Sequence, residues 1–239
     1  MTLPTHARAV IIGGGVIGCS VAYHLAKLGW TDVVLLERKQ LTSGTTWHAA
    51  GLIGQLRASS NMTKLAKYTA DLYSRIEEET GVSTGFRKTG SISVALTAER
   101  HEELRRTAAM ARAFGVPVEE IDTAEIKKKY AHLNTDDVVG GVYLPSDGQG
   151  DPANIALAIA KGARQSGAQM FERTKATGVS RDARRITAVD WAAEDGTSGT
   201  ITCDHVVNCA GMWGREVGQM LGVNVPLQAC EHFYIVSEP

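Results

Sequence analysis

The chain has 239 residues, 44% of them hydrophobic and 21% charged, which is the composition of a globular protein with room for one large domain or two interleaved ones. A formal net charge of −1 offers no basic field for nucleic acid or an anionic membrane surface. No apolar run reaches the roughly 20 residues that span a bilayer. The four cysteines, Cys19, Cys203, Cys209 and Cys230, lack the spacing of a zinc or thiol-exchange site, so reduced core thiols, no metal and a cytoplasmic location are expected. Eight residues ahead of the first strand leave no room for a signal or transit peptide, and none is expected.

The first elements read as strand, tight turn and helix. The apolar run Ala9-Val10-Ile11-Ile12 leads into Gly13-Gly14-Gly15-Val16-Ile17-Gly18, and alternating polar and apolar residues then continue to Leu28. Gly13 would permit the sharp turn, Gly15 would let the backbone reach a pyrophosphate, and Gly18 would let helix and strand pack closely. A helix N-terminus behind this turn presents unpaired N–H groups and roughly half a positive charge to an anion. Forcing a side chain into a left-handed turn position costs about 1–2 kcal/mol, so substitution of Gly13 or Gly15 is expected to damage folding as well as binding. The next strand, Val33-Val34-Leu35-Leu36, ends at Glu37, 19 residues after Gly18, the spacing at which a carboxylate meets a ribose diol. Its charge repels a 2′-phosphate, which disfavours NADP but does not separate NAD from FAD.

The block Ser43-Gly44-Thr45-Thr46-Trp47-His48-Ala49-Ala50-Gly51-Leu52 follows. Its small residues would let the backbone pass close to a cofactor, and Ser43 and Thr45 could donate hydrogen bonds. Taken alone, it also fits a tight surface loop. A helix is expected over 61–81, with Met62, Leu65, Ala66, Leu72 and Ile76 on its apolar face and Gly81 as its stop. A half-buried strand over 90–96 and a helix over 98–114 come next, and Gly115 and Pro117 end that helix. The runs Glu77-Glu78-Glu79 and Lys127-Lys128-Lys129 read as solvated helix faces.

Residues 138–144 read as a strand or short hairpin, and 145–152 are dense in turn formers, as at a domain crossing. A helix is expected from Pro152 to about Ser166, then strands over 169–171, 177–179, 186–191 and 201–207. The fold class expected is α/β: a Rossmann-like, doubly wound parallel sheet with an antiparallel crossover, interleaved with a partial α+β domain. The nucleotide-binding domain is assigned to 1–89 and 150–225, and the partial domain to 90–149 and 226–239. The stretch Cys230-Glu231-His232-Phe233-Tyr234-Ile235-Val236 reads as a strand with nothing after Pro239 to continue its sheet. The chain is therefore expected to be truncated, with a C-terminal part or partner subunit completing the fold.

Three separated motifs agree: the glycine turn with Glu37-Arg38, the Ser43–Leu52 block, and Val206-Val207-Asn208-Cys209-Ala210-Gly211-Met212-Trp213. Together they resemble the FAD-dependent amine oxidoreductase family along nearly the whole chain, with the greatest likeness to dimethylglycine and sarcosine dehydrogenases. The resemblance implies that FAD is held by Gly13, Gly15, Val16, Ile17, Gly18, Glu37, Arg38, Ser43, Gly44, Thr45, Thr46, His48, Ala49, Ala50, Gly51, Leu52, Ala210, Gly211 and Trp213, with the Val179 backbone at the adenine. It implies a covalent bond from His48 to the flavin 8α-methyl carbon. It also implies oxidation of an N-methyl amine by hydride transfer to flavin N5, giving an iminium that water or tetrahydrofolate captures. By the same likeness His232 would favour the free-base amine, with Tyr234 as a weaker second. The electron acceptor is left open, a folate-binding domain would lie beyond this chain, and the fragment alone is expected to be inactive. Three other readings remain: a flavoenzyme for another amine or amino acid, a noncatalytic FAD-binding subunit, and a plain NAD-binding module.

Overall fold

The computed structural model describes residues 2–183, 185–233 and 235. From the N-terminus the chain forms β1 (His6–Ile12), α1 (Val16–Lys27), β2 (Val33–Leu36), β3 (Leu52–Ile53), α2 (Ser60–Thr80) and β4 (Ser91–Ala95). It continues through α3 (Ala98–Ala113), β5 (Glu119–Ile121), α4 (Thr123–Lys129), β6 (Gly140–Leu144), β7 (Gly148–Gln149) and α5 (Pro152–Gln165). After these come β8 (Gln169–Phe171), β9 (Thr174–Arg181), β10 (Ile186–Ala193), β11 (Ser198–Asn208) and α6 (Gly214–Met220). Single 3-10 turns lie at Thr46–His48 and Gly211–Trp213. Contacts divide the chain into two compact units, Met1–Ala49 with Ala156–Pro239, and Ala50–Ile155.

The first unit is built on a six-stranded sheet in the order β8-β2-β1-β11-β10-β9. Strands β8, β2, β1 and β11 run parallel, and every residue of β2 is buried, as expected for a parallel strand covered on both faces. Side chains alternate across the sheet. Val10, Ile12, Val34 and Leu36 join one cluster with Phe171, Val189, Ile201, Val217 and Leu221. Ile11 and Leu35 point the other way and are equally buried, where α1 packs on β1 and β2. Strand β11 serves two partners in succession. From Ser198 to Thr202 it runs antiparallel to β10, and from Thr202 to Asn208 parallel to β1. The antiparallel crossover is therefore a β9-β10-β11 meander at one end of the same sheet.

The second unit holds an antiparallel sheet in the order β4-β6-β5, with α3 packed across it. Ala95, Leu104, Ala108, Ala111, Val142 and Leu144 form its main core cluster. Side-chain caps set the helix starts: Ser59 accepts from the Met62 N–H at 3.3 Å, Thr97 from Arg100 at 3.2 Å, and Asp122 from Glu125 at 2.8 Å. Helix α2 stops where Gly81 takes φ +68°, the left-handed value that glycine adopts without strain.

Four expectations change. The units part at 49/50 and 155/156, whereas the sequence reading divided the chain at 89/90, 149/150 and 225/226. The turn-rich stretch 145–152 contains β7, which pairs with β3 through Leu52 and Gln149 and ties the start of the second unit to its end. Helix α2 buries Thr63, Ala70, Leu72, Ile76 and Thr80, while Met62 and Leu65 are 53% and 59% exposed. The described residues of 230–236 form no strand, and Phe233 and Ile235 lie open to solvent. Without a neighbouring strand to supply ladder hydrogen bonds, β-propensity alone does not make a strand.

Candidate cofactor site

The first unit contains a cavity of about 480 Å³ at the carboxyl ends of β1, β2 and β11. Its wall includes four backbone segments, Gly13 to Ile17, Glu37-Arg38, Ser43 to Thr46 with Ala49, and Cys209 to Gly211 with Trp213, beside Thr174 to Ala176 of β9 and residues of α6. Gly13 to Gly15, Gly44 with Ala49, and Ala210-Gly211 bring little or no side chain to it. Gly13 takes φ +114°, and a Cβ there would collide with the Cys209 carbonyl. A Cβ on Gly18 would collide with the Gly13 carbonyl and touch Cys209 Cβ at 3.4 Å. Gly18 therefore closes the helix against the turn and does not itself face the cavity. Gly15 differs, because its φ of −76° and ψ of 179° suit any residue. The sequence-based expectation that a side chain at Gly15 would strain the turn is thus corrected. What Gly15 provides is space, with the Thr46 hydroxyl 3.0 Å from where its Cβ would stand.

Glu37 is fixed by its own neighbours. Its Oε2 accepts from the Gly14 N–H at 2.7 Å and its Oε1 from the Lys39 N–H at 2.8 Å. Gly14, which the sequence reading passed over, is thus the residue that aims the carboxylate. A Cβ on it would meet Leu41 at 2.6 Å and Glu37 Cβ at 2.8 Å. On the opposite wall the Arg38 guanidinium stacks over the Trp213 ring at 3.8 Å, and Trp213 lies 3.6 Å from where a Gly44 Cβ would stand. This stack joins three of the four wall segments.

The chain matches the FAD dependent oxidoreductase family over residues 8–239. It belongs to that family. It is 43% identical over 242 residues to human mitochondrial sarcosine dehydrogenase, covering 99% of this chain and 26% of that protein. It is 41% identical over 241 residues to the mouse mitochondrial pyruvate dehydrogenase phosphatase regulatory subunit, covering 100% and 27%. Among solved structures, L-proline dehydrogenase from P. horikoshii superposes with a TM-score of 0.84 at 28% identity, covering 92% of this chain and 57% of that one. The chain therefore spans about a quarter of the length of the curated relatives named.

The residues present suit FAD, the cofactor in the family's name. At the N-terminus of α1 the first turn carries no acidic side chain, and Gly15 presents bare backbone to the cavity. Small residues also form the wall at Cys209, Ala210 and Gly211, so a flat or extended ligand can lie against backbone. Burial pushes the Cys209 thiol on that wall up to about 11, away from the thiolate form.

The remaining residues singled out from sequence divide into those near the cavity and those outside its lining. His48 is exposed in the Thr46–His48 turn and does not itself line the cavity, whereas Thr46 and Ala49 on either side of Trp47-His48 do. Its Nδ1 donates to the Gly44 carbonyl at 3.1 Å, and the Trp47 ring stacks on it with centroids 3.9 Å apart. Ala50, Gly51 and Leu52 belong to the second unit; Gly51 takes φ +74° and accepts from the Gly150 N–H at 2.9 Å. Val179 packs against the sheet core, and the start of its strand, Thr174 to Ala176, lines the cavity instead. His232 is exposed and outside the lining, and Tyr234 lies outside the described residues. The sequence reading missed Lys175, Glu216, Val217 and Met220. Only an assigned helix over 214–220 would have pointed to the last three, and its seven residues carry too little periodicity for that.

Among the described residues no helix is long and apolar enough to cross a membrane.

Proposed function

We propose that this protein binds FAD in the glycine-walled cavity, carries it covalently on His48, and oxidises the N-methyl C–N bond of a small amine such as sarcosine or dimethylglycine. The observation that carries this reading is that the cavity takes its wall from the glycine turn, from Glu37, and from both residues flanking Trp47-His48. The 43% identity to sarcosine dehydrogenase supports the substrate class. When bound, FAD would supply an acceptor for the hydride equivalent that leaves the carbon beside nitrogen.

The chain's own residues would then divide the work. Gly13 to Ile17 would hold the diphosphate at the start of α1, and Glu37 would accept from a ribose hydroxyl. A carbonyl accepts but cannot donate, so the bond to Gly44 requires a proton on Nδ1 of His48 and leaves the neutral ring's lone pair on Nε2. That nitrogen would be the one joined to the flavin. His232 would hold the substrate amine in its free-base form, since a protonated amine has no lone pair to support loss of hydride. The one-carbon product would pass to water or tetrahydrofolate. All four cysteines are free, which suits a reducing compartment, either the cytoplasm or a mitochondrial matrix.

A second reading, flavin binding without turnover, is favoured by the 41% identity to a regulatory subunit. Anaerobic addition of sarcosine to the purified full-length protein separates the two. Bleaching of the flavin band supports oxidation. A yellow protein that no methylated glycine bleaches supports the second reading.

A further inference from the structure

Helix α1 begins without a cap of its own, because Gly15 has no side chain to offer. Its first N–H, on Val16, is satisfied from a distant part of the chain, donating to Thr46 Oγ1 at 3.0 Å. Thr46 opens the same 3-10 turn that carries His48. The turn is short and closed on itself: the His48 N–H donates to the Thr45 carbonyl at 3.2 Å, and the Ala49 N–H to the Thr46 carbonyl at 3.2 Å. Thr46 also lines the cavity, and its Oγ1 lies 3.0 Å from the position a Gly15 Cβ would take.

We infer that Thr46 is a positioning residue for His48: its hydroxyl ties the turn that carries the histidine to the N-terminus of α1, so that the anion received there also fixes where the imidazole stands. The inference rests on the proposed covalent attachment at His48. A hydroxyl that accepts from Val16 retains its own proton to donate, and a phosphate oxygen at the helix start is the acceptor the site is suited to. Diphosphate, Thr46, turn and imidazole then form one chain of contacts. Noncovalent docking of FAD would precede attachment and set its geometry. The attachment would replace one C–H of the 8α-methyl group with a C–N bond to Nε2 and leave the Nδ1 proton hydrogen-bonded to the Gly44 carbonyl. The hydride equivalent released would go, with one solvent proton, to dioxygen as hydrogen peroxide.

The test uses full-length protein purified without flavin from riboflavin-starved cells, to which FAD is added in air. Total bound flavin is read from absorbance, and covalent flavin from the fraction that remains with acid-denatured protein. Thr46→Val keeps the shape and removes the hydroxyl, and Thr46→Ser restores it. With a reacting nitrogen displaced by about 1 Å, Thr46→Val should attach FAD roughly 10–100-fold more slowly even at saturating FAD, where any loss of affinity is offset, and Thr46→Ser should attach at the wild-type rate. Attachment by Thr46→Val at the wild-type rate would overturn the inference. So would a Thr46→Val protein whose affinity for ADP, measured by calorimetry, falls by the same factor as its attachment rate, since Thr46 would then serve the phosphate site alone. Wild-type protein that retains no flavin after denaturation would refute the His48 linkage itself, before any variant is made.

Discussion

Gly13 and Gly15 look alike in sequence and do different jobs. Gly13 holds φ +114° against the Cys209 carbonyl, so Gly13→Ala combines backbone strain of about 1–2 kcal/mol with a clash, and a melting point lowered by at least a few degrees is expected. Gly15 has an ordinary backbone, so Gly15→Val should purify without flavin yet melt near the temperature of the flavin-free wild-type protein. Calorimetry and an absorption spectrum of the two proteins check this; equal loss of stability in both would contradict it. The motif spacing reveals that glycines are needed here but not which need is conformational, because that depends on where Cys209 and Thr46 arrive from far along the chain. The same limit hid Gly14, whose N–H aims Glu37. Local pattern located the turn, Glu37 and the Trp47-His48 block, since each is signalled by residue type within a few positions.

For whole elements, strand β2 and helices α2, α3 and α5 fall within a residue or so of their sequence-based bounds, because continuous apolar runs, caps and Gly or Pro stops are all local signals. The buried face of α2 was less legible. Its apolar residues Met62 and Leu65 face solvent while Thr63 and Thr80 are buried, with Thr80 Oγ1 donating to the Ile76 carbonyl at 2.7 Å. A threonine that satisfies its hydroxyl within the helix can be buried at little cost, and a hydropathy pattern does not register this. Leu65→Ala should therefore change stability by no more than about 0.5 kcal/mol. Ile76→Ala, at a fully buried position, should cost about 2–5 kcal/mol. Denaturant midpoints of the two variants check the assignment, and the reverse ranking would overturn it. The 230–236 stretch shows the opposite failure, strand-like composition without a strand among its described residues.

At the scale of the whole molecule, the division into units was the least legible feature. Hydrophobic pattern shows that a segment is a strand but not which sheet it joins, and the β3-β7 pair links residues nearly 100 apart in sequence. The folded chain also sets a pH limit. Burial raises Cys19 to about 12 and Cys203 and Cys209 to about 11, against an ordinary value of 9.0. The unfolded chain releases these protons first as pH rises, so stability should hold below pH 9 and fall through the interval up to about 11–12. At pH 8 a thiol reagent should modify the exposed Cys230 rapidly, and the buried Cys19 and Cys203 only after denaturation; rapid native labelling of those two would contradict their burial.

The central claim, that the glycine-walled cavity holds FAD and the adjoining turn tethers it through His48, is most directly tested by flavin fluorescence of the purified full-length protein after denaturing electrophoresis. A fluorescent band at the full molecular weight that disappears in His48→Ala is the result this account predicts. A colourless protein that takes up no flavin when incubated with excess FAD would contradict it.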